Sequence, residues 1–163
     1  MFNKIDNYLK NLYQLSGYIA AMFLIFVAVF ILMGIASRLF GFYIRGLAEY
    51  SGYCMAASSF LALAYTFGEK GHIRITLFLE KANKNFRRIL ELWCLFTATF
   101  FSGFLSFYFI KMLIISIDLK ERSEGADEIY IWIPQTTAAI GSTIFFICIL
   151  HNFILLILKK KNI

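Results

Sequence analysis

The side chains with the clearest capacity for chemistry in this sequence are its cysteines and histidines. Cys54, Cys94 and Cys148 each stand alone inside a different apolar run. A redox pair or a zinc site needs a short Cys-x-x-Cys or Cys/His spacing, and neither spacing occurs. We therefore expect three buried structural thiols. His72 lies close to Arg74 but has no neighbouring ligand, so the sequence predicts no metal site, no cofactor and no catalytic group.

Most of these residues lie in apolar segments of the chain, and the composition as a whole is apolar. Of the 163 residues, 60% are hydrophobic and only 16% are charged. A water-soluble domain of this size cannot cover so much apolar surface with so few charges. One proline and no linker-like segment favour a single membrane domain over residues 1–163. The net charge of +6 comes largely from basic residues that flank apolar runs, which favours contact with membrane lipid over nucleic acid.

Four apolar runs, of 18 to 29 residues, are long enough for a helix to cross the hydrocarbon core, which takes roughly 20 residues. They cover residues 17–37, 50–67, 89–117 and 134–158. Pro134 suits the first turn of the fourth helix, where its missing N–H is not needed. Lys111, near the end of the third run, can extend its ammonium toward the interface. The sequence thus predicts an all-α integral membrane protein with four transmembrane helices.

The basic residues predict the orientation of these helices. Lys4 and Lys10 precede the first run, and a lysine triplet over residues 159–161 closes the chain. The loop between the second and third runs carries Lys70, Arg74, Lys81, Lys84, Arg87 and Arg88. By the positive-inside rule, both termini and this central loop are cytoplasmic.

Two segments beside the predicted spans are amphipathic. Phe2, Ile5, Leu9, Leu12 and Ser16 share one helical stripe, and residues 75–86 hold a second. We expect two short interfacial helices that lie along the membrane surface. The alternative for each is a solvated juxtamembrane turn.

The predicted spans carry no carboxylate and no lysine at their middle. A proton- or ion-coupled carrier usually needs such a group at mid-membrane. Glu49 is the nearest candidate, but it stands at the outer mouth of the second run, where we expect an ion pair with Arg45 one helical turn earlier. His151 and Asn152 are the most polar point of the fourth run, and we expect a hydrogen-bonded helix contact there.

The second and third runs differ in the size of their side chains. Gly52, Ala56 and Ser59 are spaced four and three apart, and small residues at this spacing let helices approach closely. We therefore expect the second helix to pack against protein. The third run is rich in phenylalanine, which suits either a lipid-facing wall or a broad partner surface. Its phenylalanines are Phe96, Phe100, Phe101, Phe104, Phe107 and Phe109.

Two stretches carry a family resemblance. Arg38, Gly41, Arg45 and Glu49 lead into the small-residue helix, and Gly71-His72-Ile73-Arg74-Ile75 follows it. Trp132-Ile133-Pro134 then opens the fourth run, with Ile140-Gly141 inside it. In order and spacing, the chain resembles the small membrane subunit (the Q subunit, DctQ-like) of tripartite ATP-independent periplasmic (TRAP) transporters.

The resemblance implies a non-catalytic subunit in the bacterial inner membrane. It would brace a large, sodium-coupled transport subunit and help to dock a periplasmic substrate-binding protein for uptake of an organic acid, of the C4-dicarboxylate or sialic acid type. Mapped on this chain, Gly52, Ala56 and Ser59 would pack against the large subunit. The residues expected to face the binding protein are Arg38, Arg45, Glu49, Asp127 and Glu128. The other motif residues are His72, Arg74, Trp132, Pro134 and Gly141.

Three other functions compete with this interpretation. A stand-alone four-helix carrier or exporter would place an essential Glu within a span. A membrane thiol–disulfide oxidoreductase would need paired cysteines, and a tetraspan adhesion protein would need a long outer loop. The first outer loop here covers only about residues 38–49.

Overall fold

The structure, a computed structural model, describes residues 2–69, 84–126 and 128–158. In these ranges the chain forms four α-helices joined by loops. They are α1 (Phe2–Leu39), α2 (Leu47–Gly68), α3 (Lys84–Asp118) and α4 (Trp132–Leu158). The all-α prediction is confirmed for this part of the chain. Pro134 lies in the first turn of α4, as predicted.

Three of the helices are long and apolar enough to cross a membrane. Their spanning segments are Asp6–Leu39, Arg88–Asp118 and Trp132–Leu158, and only 6%, 17% and 22% of their most apolar windows are buried within the chain. Most of their side chains are therefore available to lipid or to another protein. The helix α2 has 22 residues but is not among these three, because serine, glycine and tyrosine lower the hydropathy of its apolar stretch. A fourth crossing by α2 stays a prediction.

The amphipathic N-terminal segment is helical, but it is not the separate short helix that the sequence suggested. It is the first part of α1, which runs for 38 residues, or about 57 Å, without a break. Its apolar stripe packs on protein: Leu9 and Leu12 contact a cluster formed by Tyr13, Ala64 and Cys148. The second expected interfacial helix, over residues 75–86, lies almost entirely outside the described residues.

Each helix packs on a limited set of neighbours. The helix α1 packs along α2, α2 packs on α4, and α4 packs on α3. Glycine makes the closest of these approaches. A Cβ atom at Gly141 of α4 would stand 2.7 Å from the carbonyl carbon of Phe60 in α2, and one at Gly17 of α1 would stand 2.7 Å from the Tyr65 ring. Because these distances are shorter than van der Waals contact, a larger residue at either position would force its neighbour to shift, and at Gly141 that neighbour is the α2 backbone.

The loops that join α1 to α2 and α3 to α4 lie at one end of the molecule, and the start of α1 and the end of α4 lie at the other. At one end, Glu49 at the start of α2 is hydrogen-bonded to Ala126 in the loop between α3 and α4. At the other end, Asp6 near the start of α1 lies 3.3 Å from His151 near the end of α4. Consecutive helices in each of the pairs α1/α2 and α3/α4 are therefore antiparallel.

Candidate functional site: partner surfaces

The helix α2 carries small residues on two faces. One face is buried within the chain and consists of Ala57, Ser58, Leu61 and Ala64. The other face is exposed and is formed by Gly52, Met55, Ala56 and Ser59, which we call the α2 small-residue face. The three residues that the sequence singled out for partner packing all belong to the exposed face. Internal packing does not account for them.

The α2 small-residue face is shallow and almost without free polar groups. A Cβ atom at Gly52 would have no neighbour within 4 Å. The Ser59 hydroxyl donates back to the carbonyl of Met55 at 2.9 Å, so it presents little hydrogen-bonding capacity to lipid. A helix of another protein could approach this backbone closely.

The family-motif residues of α4 have structural roles. Trp132 is the first residue of α4, and Pro134 follows two positions later. Gly141 is fully enclosed where α4 crosses α2 at Phe60, the closest approach described above. His72 and Arg74, the remaining motif residues, lie outside the described residues, and their predicted importance stays untested.

The first outer loop differs from the prediction at Arg45 and Glu49. Gly46 adopts a left-handed conformation (φ 79°, ψ 1°) immediately before α2 begins at Leu47. Arg45 therefore lies outside the helix and is exposed, so the predicted helical ion pair with Glu49 is not formed. The Glu49 carboxylate instead accepts a hydrogen bond from the Ala126 N–H at 3.3 Å.

The second outer loop, residues 119–131, is held by its own hydrogen bonds. The N–H of Ile131 donates to the carbonyl of Glu121, and the N–H of Ser123 donates to the carbonyl of Ile129. The guanidinium of Arg122 lies 4.9 Å from the ring centre of Tyr130 and donates to its hydroxyl at 3.2 Å. The loop thus has a defined shape rather than being a simple solvated connection.

The tip of this loop is attached to α2. The hydroxyl groups of Tyr53 and Ser123 are 3.0 Å apart, and the N–H of Gly125 donates to the Ser123 hydroxyl at 3.1 Å. Together with the Glu49–Ala126 bond, this fixes the loop beside the first two turns of α2. The loop tip and the α2 small-residue face are therefore adjacent.

The charged residues predicted to meet the binding protein gather at this end. Arg38, Arg45 and Glu128 are exposed, while Glu49 is partly buried by its bond to the loop. Arg38 and Glu49 both line a cleft of about 400 Å³ between the end of α1 and the start of α2. Asp127 is outside the described residues.

At the opposite end, the contact between Asp6 and His151 joins α1 to α4. Asp6 contacts His151 at 3.3 Å and Lys10 at 3.3 Å. The Asn152 amide donates to the carbonyl of Cys148 at 2.8 Å. The expected helix contact is confirmed at His151, whose partner is Asp6 in the N-terminal part of α1, whereas the Asn152 bond stays within α4.

The cysteines occupy three different environments. Cys148 is fully buried, as predicted, and its thiol donates to the carbonyl of Ala64 at 3.5 Å. Cys54 is partly buried. Cys94 is exposed on α3, so the prediction of a buried thiol is wrong there. One face of α3 is exposed to lipid or to another protein. Because the run is apolar all round, its sequence could not show which face is exposed and which is buried.

The packing face of α3 was missed by the sequence argument. Ser102, Gly103 and Ser106 face α4, where the Ser106 hydroxyl lies 2.9 Å from that of Thr143 and Gly103 lies against Phe146. Ser106 follows Gly103 by three positions and Ser102 by four, which was a helical signal in the sequence, hidden by the surrounding phenylalanines. The phenylalanines that lie on the exposed side are Phe96, Phe100, Phe101, Phe104 and Phe107. Phe109 instead packs on Phe60, with ring centres 5.0 Å apart.

The long apolar helices and their exposed faces define a multi-pass helical membrane protein. The family described as "Tripartite ATP-independent periplasmic transporters, DctQ component" matches residues 14–159, nearly the whole chain. The chain belongs to this DctQ family and is a small TRAP transporter component, as its motifs suggested. No curated protein matches it.

Proposed function

We propose that this subunit is a fixed scaffold that holds the large, sodium-coupled membrane subunit of a TRAP transporter in the bacterial inner membrane and helps to dock a periplasmic binding protein. The observation that carries the proposal is the exposure of Gly52, Ala56 and Ser59 on α2. Lipid tails are as apolar as a leucine side chain, so apolar burial alone does not drive helices together in a membrane, and a small-residue face gains most when another helix packs on it closely. The large subunit is the natural occupant in a tripartite transporter.

The scaffold proposal includes four membrane crossings with both termini in the cytoplasm. The 22 residues of α2 correspond to about 33 Å, close to the roughly 30 Å hydrocarbon thickness. The two outer loops lie at the end of the molecule that holds Glu49 and Ala126. The start of α1 and the end of α4 lie at the other end, and this arrangement suits an even number of crossings. Since the basic residues concentrate at the end of the termini, that end would be cytoplasmic.

A scaffold needs no ion-handling group of its own. The predicted spans have no carboxylate or lysine at their middle. The ionisable residue deepest in α4, His151, is already engaged with Asp6. We therefore assign binding of sodium and of the organic acid, of the C4-dicarboxylate or sialic acid type, to the large subunit and the binding protein.

Docking of the binding protein is assigned to the end with the two outer loops. Arg38, Arg45, Glu49, Asp127 and Glu128 supply charges of both signs there, which favours a partner with a complementary pattern. Exposed charges at the rim of an interface act mainly on the rate of association and on its salt dependence. The bonds from Glu49 and Tyr53 hold the second loop in one position, which lowers the ordering cost of docking.

The decisive experiment is co-purification with the large subunit of the same transporter. Ala56→Trp places a bulky ring on the α2 small-residue face and should reduce the amount of co-purified large subunit strongly. Ala28→Trp makes the same change on an exposed position of α1 and should leave it unchanged. Equal recovery with both variants would remove the α2 small-residue face from the proposal.

A second measurement tests whether this chain transports a solute without the other subunits. Vesicles that contain only this chain should not accumulate an organic acid on a sodium gradient, whereas vesicles with both membrane subunits and the binding protein should. Accumulation by the chain alone would favour the rival interpretation, a stand-alone carrier.

A further inference from the structure

A groove of about 550 Å³ lies between α3 and α4, at the end of the molecule with the outer loops. Its walls are mostly apolar and come from α3, the start of α4 and the second outer loop. The apolar lining residues include Leu105, Phe109 and Met112, and the polar ones include Lys111, Glu121 and Gln135. Tyr108, Lys111 and Met112 are exposed, so the groove is open along one side.

The polarity of the groove changes along its length. Leu105 lies 13 positions before the end of α3 at Asp118, about 20 Å along the helix axis. Glu121 follows the end of α3, and Gln135 lies in the first turns of α4, so both are at the loop end. A groove that is apolar in its depth and polar at its mouth matches an amphiphile oriented in a bilayer.

Lys111 supplies a cation to this groove. It lies seven positions before Asp118, about 10 Å inside the end of α3. No carboxylate in the described ranges lies within ion-pair distance of it. Glu121, which lines the same groove, accepts a hydrogen bond from the Ser116 hydroxyl at 2.9 Å instead. A cation at this depth extends toward the interface and is stabilised by an anion there. At the depth of the interface, the available anion is a lipid phosphate.

The mouth of the groove also offers acceptors that lack a full set of donors. The side-chain oxygen of Gln135 is buried and has no hydrogen-bond donor within the described part of the chain. The χ3 torsion of a glutamine side chain has broad minima, so rotation about it can direct this oxygen toward the groove. The Glu121 carboxylate keeps further acceptor capacity beyond its bond from Ser116. An occupant with both an anionic group and an N–H donor would satisfy all three side chains.

We infer that the groove binds one phospholipid with a primary ammonium headgroup, phosphatidylethanolamine. Its phosphate accepts from the Lys111 ammonium, its own ammonium donates to Glu121 and Gln135, and one acyl chain lies along Leu105 and Met112. Phosphatidylcholine carries the same phosphate but has no N–H to donate, so it satisfies only Lys111. The inference rests on the membrane location of the chain and not on its proposed role as a scaffold.

The test is native mass spectrometry of the full chain, released from vesicles that contain phosphatidylethanolamine and phosphatidylcholine. The wild-type chain should retain one phosphatidylethanolamine in preference to phosphatidylcholine. Lys111→Met should lower that retention about tenfold, since it removes a charge-assisted hydrogen bond. Lys111→Arg should preserve retention, and Gln135→Leu should narrow the preference between the two lipids.

The matched control is Lys120→Met, which removes an equal charge from an exposed position outside the groove. It should leave lipid retention unchanged. Equal retention of both lipids by the wild-type chain, or equal losses in Lys111→Met and Lys120→Met, would overturn the assignment. So would a Lys111→Met variant that keeps the lipid but loses the large subunit, because the groove would then belong to that protein.

Discussion

The Glu49 carboxylate accepts a hydrogen bond from the backbone N–H of Ala126, at 3.3 Å and across 77 positions of sequence. The Tyr53 hydroxyl reaches Ser123 in the same loop, one helical turn further along α2. A loop that would otherwise follow only the ends of α3 and α4 is thereby attached to α2. If α2 is the helix that meets the large subunit, this loop lies beside that contact.

Removal of the Glu49 carboxylate should release the loop tip. Glu49→Ala takes away the acceptor for the Ala126 N–H, and a hydrogen bond to a charged group contributes about 1.5–3 kcal/mol when partly buried. Amide hydrogen exchange over residues 122–130 should become clearly faster. Glu124→Ala, an exposed carboxylate of the same loop, is the control. Unchanged exchange in Glu49→Ala would show that the bond does not hold the loop.

The crossing of α2 and α4 should be intolerant of any side chain at Gly141. Gly141→Ala brings a methyl group to 2.7 Å from the Phe60 carbonyl carbon and 2.8 Å from its carbonyl oxygen, so the two helices must separate. We expect a loss of about 1–3 kcal/mol, seen as a lower thermal midpoint in detergent. Gly52→Ala adds the same methyl group in open space and should leave the midpoint equal or raise it. A similar drop in both variants would contradict this account.

The contact between α3 and α4 can be tested with a double-mutant cycle. The Thr143 hydroxyl donates to the Ala139 carbonyl at 2.7 Å, so the Ser106 hydroxyl is the donor in the 2.9 Å bond between the two. Ser106→Ala, Thr143→Ala and the double variant should give a coupling energy of about 0.6 kcal/mol, the average for hydrogen bonds between membrane helices. Unfolding in mixed micelles provides the measurement. A coupling indistinguishable from zero would remove this bond from the stabilising contacts.

Several of these relationships could be predicted from the sequence, and others could not. The apolar runs and Pro134 predicted the helices, because length and periodicity are local properties. The Arg45–Glu49 pair failed because Gly46 turns the backbone into the left-handed region and leaves Arg45 outside α2. Gly52 could be recognised as a small residue at helical spacing. Its exposure, however, depends on where α1 and α4 pack.

Contacts between residues distant in sequence also could not be predicted for the second outer loop and for the N-terminal segment. The bond between Tyr53 and Ser123 joins residues 70 positions apart, and no spacing rule relates them. The N-terminal stripe was recognised correctly as one face of a helix. An apolar stripe can be covered either by the membrane interface or by the apolar face of another helix, however, so the stripe alone could not show that Leu9 and Leu12 pack beside Cys148.

The orientation of the chain can be measured with single cysteines in a background without Cys54, Cys94 and Cys148. An impermeant maleimide added to whole spheroplasts should label Glu124→Cys, which lies in the second outer loop. Lys10→Cys should be labelled only after the membrane is opened. Both positions are exposed, so the label tests the side of the membrane rather than burial. The reverse pattern would invert the proposed topology.

Reversal of the charges at Asp127 and Glu128 tests the docking assignment. Asp127→Lys with Glu128→Lys should slow association of the binding protein up to about tenfold at low salt, because exposed charges steer encounter more than they hold a complex. Uptake by the reconstituted transporter should fall, while co-purification of the large subunit should stay unchanged. High salt should reduce the difference from the wild-type chain, since exposed charges are then screened. Glu69→Lys changes an exposed charge at the other end of α2 and should leave uptake as it is. If uptake with the reversed pair equals that of the wild-type chain at low salt, the two residues serve only the topology of the loop.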